Sequence, residues 1–218
     1  MEPQIYIADF QDRCFENPLF FDFGRKFYPN SDLKRKNVAT SVLGKILLNY
    51  AFAQNYPNCE LPKLKLAEKG KPFFETEKNF HFNISHTKNR VVVAVAPFEI
   101  GVDVEFLQKC NLEIADRFFN PEESAYLKSF HSENEQNKAF TRPWTMKESC
   151  VKLLGTGISS TFDKFSVDVE AKRTHLGRNI YFETLCLECD CYVSLASEEE
   201  TLKAEVHFVE IEKLLQCL

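Results

Sequence analysis

Apolar residues recur along this chain at two different spacings. Residues 4–9 can form a strand, and Phe80–Ile84 alternates apolar and polar positions as a half-buried strand does. Arg90–Ala96 and Ile100–Phe106 are β-rich apolar runs joined by a tight Pro97-Phe98-Glu99 connection. Strand-like alternation returns at 165–169, 180–185, 191–195 and 204–209. The helical spacing dominates residues 32–54. There Val38, Val42, Leu43, Ile46, Leu47 and Tyr50 form an apolar stripe beside Lys34, Arg35, Lys36 and Lys45, and Pro57 and Pro62 lie past its end. A second helix is expected over 112–119.

Asn120-Pro121-Glu122-Glu123 has the form of a helix start, with Asn as N-cap, Pro at the first position and Glu at the third. That helix should reach about Phe130. Another begins before or at Pro143 and runs to Leu154, where Gly155-Thr156-Gly157 stops it. Gly70-Lys71-Pro72 reads as a turn. Helices and hairpins occur in both halves, which predicts an α+β chain with antiparallel sheets.

The 218 residues are 44% hydrophobic, enough for one large domain or two small packed ones and too apolar for disorder. A net charge of -5 argues against a dedicated nucleic-acid binder. No apolar run approaches the roughly 20 residues of a membrane span, and Met1-Glu2-Pro3-Gln4-Ile5 does not open a secretory leader. A cytoplasmic protein is expected, with its 8 cysteines reduced. Cys186, Cys189 and Cys191 look like part of a zinc motif. No second tight Cys/His pair completes it, so they read as strand and turn residues.

The candidate chemistry lies in three short segments. Asp103 and Glu105 are two apart in an apolar run, so on a strand both carboxylates face one side and repel unless a cation lies between them. Glu148 and Lys152 are four apart in a helical pattern and share one helix face. Three hard oxygen ligands beside a lysine suit Mg²⁺ and a phosphate-bearing substrate. Glu148 also reads as an ordinary helix partner of Lys152. Ser85-His86 ends a strand, where the imidazole can fill a core position. No Gly-x-Ser-x-Gly elbow surrounds Ser85, which argues against a hydrolase triad. Glu123 fits a capping box that needs no catalysis.

Gly70-Lys71-Pro72, Phe82-Asn-Ile-Ser-His86, Gly101-Val-Asp-Val-Glu105, Arg117-Phe-Phe-Asn-Pro-Glu-Glu123 and Trp144-Thr-Met-Lys-Glu-Ser149 with Lys152 follow one another in order. Together they resemble the motifs of the 4'-phosphopantetheinyl transferase superfamily, and the length resembles its larger, monomeric branch. The resemblance covers about residues 30–170. It implies two similar α/β subdomains related by a pseudo-twofold axis, 1–100 and 101–218, with the active site at their interface. It also implies a holo-[acyl-carrier-protein] synthase type of reaction: the phosphopantetheine arm of coenzyme A passes to a serine of an apo acyl or peptidyl carrier protein and 3',5'-ADP leaves.

By the same resemblance Asp103, Glu105 and Glu148 hold Mg²⁺, while Lys45, Lys71, Ser85, His86 and Lys152 bind coenzyme A. Glu123 is the candidate base, with Glu148 and Lys152 also catalytic. Lys45 stands where the family usually has an arginine on the 3'-phosphate, so the charge is kept and the bidentate fork is lost. Trp144 is expected to pack and orient the Glu148 helix. Two rival readings are a Mg²⁺-dependent nucleotide or coenzyme A phosphate-ester hydrolase and a non-catalytic carrier-binding module.

Overall fold

Strand β1 (Gln4–Asp9) divides its apolar residues between two faces. Ile5 and Ile7 enter one core and Tyr6 and Ala8 another, as the two-residue period requires. The computed structural model describes residues 1–157, 162–188 and 190–216. After β1 come helices α1 (Pro18–Phe27) and α2 (Lys36–Asn55), then a small hairpin of β2 (Leu64–Leu66) and β3 (Pro72–Phe74). Strands β4 (His81–Thr87), β5 (Arg90–Ala96) and β6 (Gly101–Phe106) follow, then α3 (Leu112–Phe118), α4 (Pro121–Lys128) and α5 (Glu133–Leu154). The chain continues through β7 (Arg173–His175), β8 (Asn179–Leu187), β9 (Cys191–Ser197), β10 (Glu205–Phe208) and α6 (Ile211–Gln216).

Two four-stranded sheets result, in the orders β10-β1-β5-β4 and β6-β9-β8-β7. Every pairing is antiparallel except β1 with β10. The halves repeat one topology: a strand, a long helix, then a hairpin whose last strand inserts beside the first. In the first half these are β1, α2 and β4–β5; in the second they are β6, α5 and β8–β9. The α+β class with antiparallel sheets expected from the sequence is thus present.

The inner faces of the two sheets meet through Ile5, Ile7, Val92 and Ala94 on one side and Val102, Val104, Val193 and Leu195 on the other. Helix α2 covers the outer face of the first sheet with Val42, Leu43, Ile46 and Leu47. Met146, Cys150 and Val151 of α5 join Ile180 and Phe182 of β8 on the outer face of the second. The molecule is layered helix, sheet, sheet, helix.

Several expected boundaries shift. The helix predicted over 32–54 starts at Lys36, and α5 begins well before Pro143, with Ser132 as N-cap. Residues 165–169 form no strand: only an isolated bridge joins Asp168 to Arg173. The Asp168 carboxylate instead accepts from Glu170 N and Ala171 N, which closes a turn. Strand β10 and helix α6 return to the first half, where Val209, Ile211 and Leu214 join the α2 core. A division at residue 100 therefore cuts across that core. Of the three clustered cysteines, Cys186 is exposed and Cys191 buried, while Cys189 lies outside the described residues. No helix among the described residues is long and apolar enough to cross a membrane.

Candidate active site

The site starts from a glycine. A Cβ on Gly101 would lie 2.0 Å from Ser149 O and 2.5 Å from Leu153 N, far inside contact distance. The bare Cα lets α5 press directly onto β6. Glu148 and Lys152, one helical turn apart, thereby meet the strand that carries Asp103 and Glu105.

The free edge of β4 runs along β6, and side chains bridge the two strands. Asn83 Oδ1 accepts from Val102 N at 3.0 Å. Ser85 Oγ donates to Asp103 Oδ1 at 2.8 Å, and Thr87 Oγ1 donates to Glu105 Oε2 at 2.9 Å. Asn83, Ser85 and Thr87 are two apart on β4, so one face supplies all three bridges. Lys152 Nζ reaches into this seam from α5 and donates to Ser85 Oγ at 2.7 Å and to Asp103 Oδ1 at 2.6 Å. Asp103 is only 4% exposed, and its second oxygen, Oδ2, is buried without a hydrogen-bond partner.

The carboxylates feel one another. Burial, followed by Asp103, pushes the Glu148 carboxyl up to about 7, with Lys152 opposing and Glu105 adding to the rise. Burial first and Asp103 second also raise Glu105 above the usual range. His86 stands at the rim, and its proton affinity is lowered by desolvation and then by the Lys152 charge.

The donor set fits a hard divalent cation. Asp103 Oδ2 is an acceptor that no protein donor satisfies, and the Glu105 and Glu148 carboxyls, both raised in pKa, feel the Asp103 charge. Among the described residues no three His, Cys, Asp or Glu side chains are grouped closely enough to hold a metal ion by themselves. Magnesium does not need such a group, since it takes one or two carboxylates and keeps waters and phosphate oxygens in its shell.

Other predicted residues fall outside this junction. Lys71 Nζ donates to Glu99 Oε2 at 2.6 Å and to Leu153 O at 2.9 Å, so it ties the Gly70 turn to the C-terminal end of α5. Lys45 Nζ donates to Tyr28 Oη at 2.6 Å and lies over the Phe27 and Tyr28 rings, between α1 and α2. Glu123 makes the complete capping box with Asn120. Its Oε2 also accepts from Lys147 Nζ at 2.6 Å, and its Oε1 accepts from Val167 N at 3.1 Å. Both oxygens are thus built into the junction of α4, α5 and the segment after Phe162. The sequence reading gives Glu123 both this capping role and that of candidate base. Of the predicted site residues, only Glu123 lines the groove of about 870 Å³ between α4, α5 and strands β8 and β9.

Lys147 is the residue that sequence reasoning missed. It is fully buried, bonds Glu123 and Phe162 O, and lies over the rings of Phe119, Phe162 and Phe165. A lysine beside Glu148 reads as a solvated charge, and the sequence signal that reveals its partner is only the capping-box glutamate. Trp144 packs against Phe118, Phe119, Phe140 and Phe162, the orienting role expected of it.

Residues 99–197 match the model of the 4'-phosphopantetheinyl transferase superfamily. The chain is 33% identical over 173 residues to the 4'-phosphopantetheinyl transferase Sfp of Bacillus subtilis strain 168, covering 78% of this chain and 71% of that protein. It is 38% identical over 144 residues to the 4'-phosphopantetheinyl transferase ffp of Bacillus subtilis, covering 66% and 62%. A mouse L-aminoadipate-semialdehyde dehydrogenase-phosphopantetheinyl transferase is 28% identical over 192 residues, 81% of this chain and 61% of that protein. The chain belongs to the 4'-phosphopantetheinyl transferase superfamily. It spans about three fifths of the length of ffp and of the Aneurinibacillus migulanus transferase gsp.

Proposed function

We propose that this protein moves the phosphopantetheine arm of coenzyme A onto a serine of an apo acyl or peptidyl carrier protein. The observation that carries the reading is the buried junction of Ser85, Asp103 and Lys152 beside Glu105 and Glu148, in which Asp103 Oδ2 has no partner. A purely structural seam has no use for three acidic groups and an unsatisfied acceptor.

In the reaction the serine oxygen forms a bond to the phosphorus that bears pantetheine. The bridging P–O bond of the pyrophosphate breaks, and 3',5'-ADP leaves with the bonding pair. Asp103, Glu105 and Glu148 would hold Mg²⁺, which supplies charge neutralisation on the pyrophosphate when bound. Lys152, already between Ser85 and Asp103, turns its ammonium to phosphate oxygens, with Ser85 and His86 as further donors. Lys71 and Lys45 are the more distant cations for the nucleotide phosphates. Glu148 takes up the serine proton, because it faces this junction while Glu123 is committed to Lys147. Glu123 acts in this reading as a positioning residue. As part of the same proposal, the protein works as a monomer in the cytoplasm.

The test is the intact mass of a purified apo carrier protein incubated with this protein, coenzyme A and Mg²⁺, with an EDTA control. Gain of one phosphopantetheine arm only in the presence of metal is the expected result. Coenzyme A consumed with no gain in carrier mass would replace the reading with a hydrolase. Carrier binding without any turnover would leave a binding module.

A further inference from the structure

The bridges between β4 and β6 differ in what they touch. Asn83 holds a backbone amide, and Ser85 shares Asp103 with Lys152. Thr87 holds Glu105, the longer of the two strand carboxylates and the one nearer the strand end. A glutamate has more rotatable bonds than an aspartate, so its carboxylate needs a fixed donor to keep one orientation.

Thr87 is itself held firmly. A threonine is stiff about χ1. It is followed by Lys88 in the left-handed region at φ 45°, the turn that sends β4 into β5. The same hairpin end grips the residue after Glu105. Lys88 Nζ lies 4.9 Å and the Arg90 guanidinium 5.3 Å from the centre of the Phe106 ring. Arg90 is anchored in turn by two hydrogen bonds to Asp9, at 2.6 and 2.7 Å. Strand β1, the hairpin end and the end of β6 thus form one linked assembly, and the Thr87 hydroxyl is its contact with Glu105.

We infer that Thr87 is a positioning residue for the divalent cation: its hydroxyl sets the Glu105 carboxylate beside Asp103, and without it the cation binds weakly. The inference rests on the proposed metal role of Asp103 and Glu105. Groups that orient metal-binding carboxylates are typically worth about 10–100-fold in metal affinity.

The test is Mn²⁺ binding, read from the electron paramagnetic resonance signal of free Mn²⁺, for wild type, Thr87→Val, Thr87→Ser and Asp103→Asn, with melting curves for each. Valine keeps the shape and loses the donor. Thr87→Val should bind Mn²⁺ at least about tenfold more weakly. Thr87→Ser should bind as wild type does, and both should melt within a few degrees of it. The transfer rate lost by Thr87→Val should return as Mg²⁺ is raised, a rescue that a merely structural role does not give. If Thr87→Val does not fold, Thr87→Ala, which also lacks the donor, takes its place. Wild-type Mn²⁺ affinity in the donor-less variant overturns the inference and leaves the metal reading standing. Equal binding by wild type and Asp103→Asn overturns the metal reading, and this inference with it.

Discussion

The two halves of this molecule share a topology and use it for opposite purposes. In the first half the outward residues of β1, Tyr6 and Ala8, meet an apolar helix face made of Val42, Leu43, Ile46 and Leu47. In the second half the corresponding strand β6 offers Asp103 and Glu105, and its helix α5 offers Lys147, Glu148 and Lys152. Of these five, Asp103, Lys147 and Glu148 are buried, and Glu105 and Lys152 are partly exposed. One half keeps its strand–helix layer as core. The other sets charge between β6 and α5, while Met146, Cys150 and Val151 of the same helix keep an apolar contact with Ile180 and Phe182. A repeated fold lets stability and chemistry be divided between copies.

The comparison breaks most visibly at two glycines, Gly101 beneath α5 and Gly44 within α2. Gly101→Ala places a methyl group 2.0 Å from a backbone oxygen of α5, which cannot step aside without lifting the helix. A loss of about 4 kcal/mol or more in denaturant unfolding, or failure to fold, is expected. In the first half, a methyl on Gly44 of α2 would lie 2.8 Å from Ile84 Cγ2, a side-chain atom. Gly44→Ala also gains helix propensity, so the net cost should be about 1 kcal/mol. Equal costs at the two sites would contradict the account.

Next comes the buried pair of Lys147 and Glu123. Lys147→Met leaves Glu123 largely buried with a lost cation and should cost about 3 kcal/mol. Adding Glu123→Gln should recover much of that loss, since the uncompensated charge is then gone. A double variant as unstable as the sum of the singles would show that the pair is not coupled.

The pH dependence gives a smaller effect of known sign. Glu148 holds its proton more firmly folded than unfolded, so its contribution to stability is full below about pH 4.5 and is lost as pH rises through about 7. Metal-free protein should therefore lose on the order of 2 kcal/mol between pH 5 and 8 through this group. The groups facing Glu148 are Asp103 and Glu105 on β6 and Lys152 on its own helix. His86 on β4, with its lowered proton affinity, acts in the opposite sense. Glu148→Gln isolates the effect: thermal melts should lose the slope in this variant, and Mg²⁺ should flatten the wild-type slope at high pH. A wild-type slope unchanged in Glu148→Gln would remove Glu148 as its cause.

Much of this was legible in the sequence because the signals are local. Asn120 and Glu123 are three residues apart, and both capping hydrogen bonds form. Gly155 ends α5 with φ 63°, and Arg90–Ala96 forms β5 over the same residues. The carboxylates of Asp103 and Glu105 stood out because charge on an apolar strand demands a reason. Asn17-Pro18 carries the same kind of start signal as Asn120-Pro121, yet the aromatic cluster that follows shows no clean stripe, and α1 was not foreseen. The parallel return of β10 to β1 joins residues about 200 apart, which no local pattern encodes. Nor does spacing show that Lys147 turns inward to Glu123 while its neighbour Glu148 faces the seam.

The most direct measurement is the intact mass of an apo carrier protein treated with coenzyme A, Mg²⁺ and Asp103→Asn, beside a melting curve of the variant. Asparagine keeps the shape and a partner for Ser85 while removing the charge. The account predicts a variant that melts close to wild type and leaves the carrier mass unchanged under conditions where wild type converts it fully. A carrier that gains its phosphopantetheine arm from Asp103→Asn at the wild-type rate would contradict it.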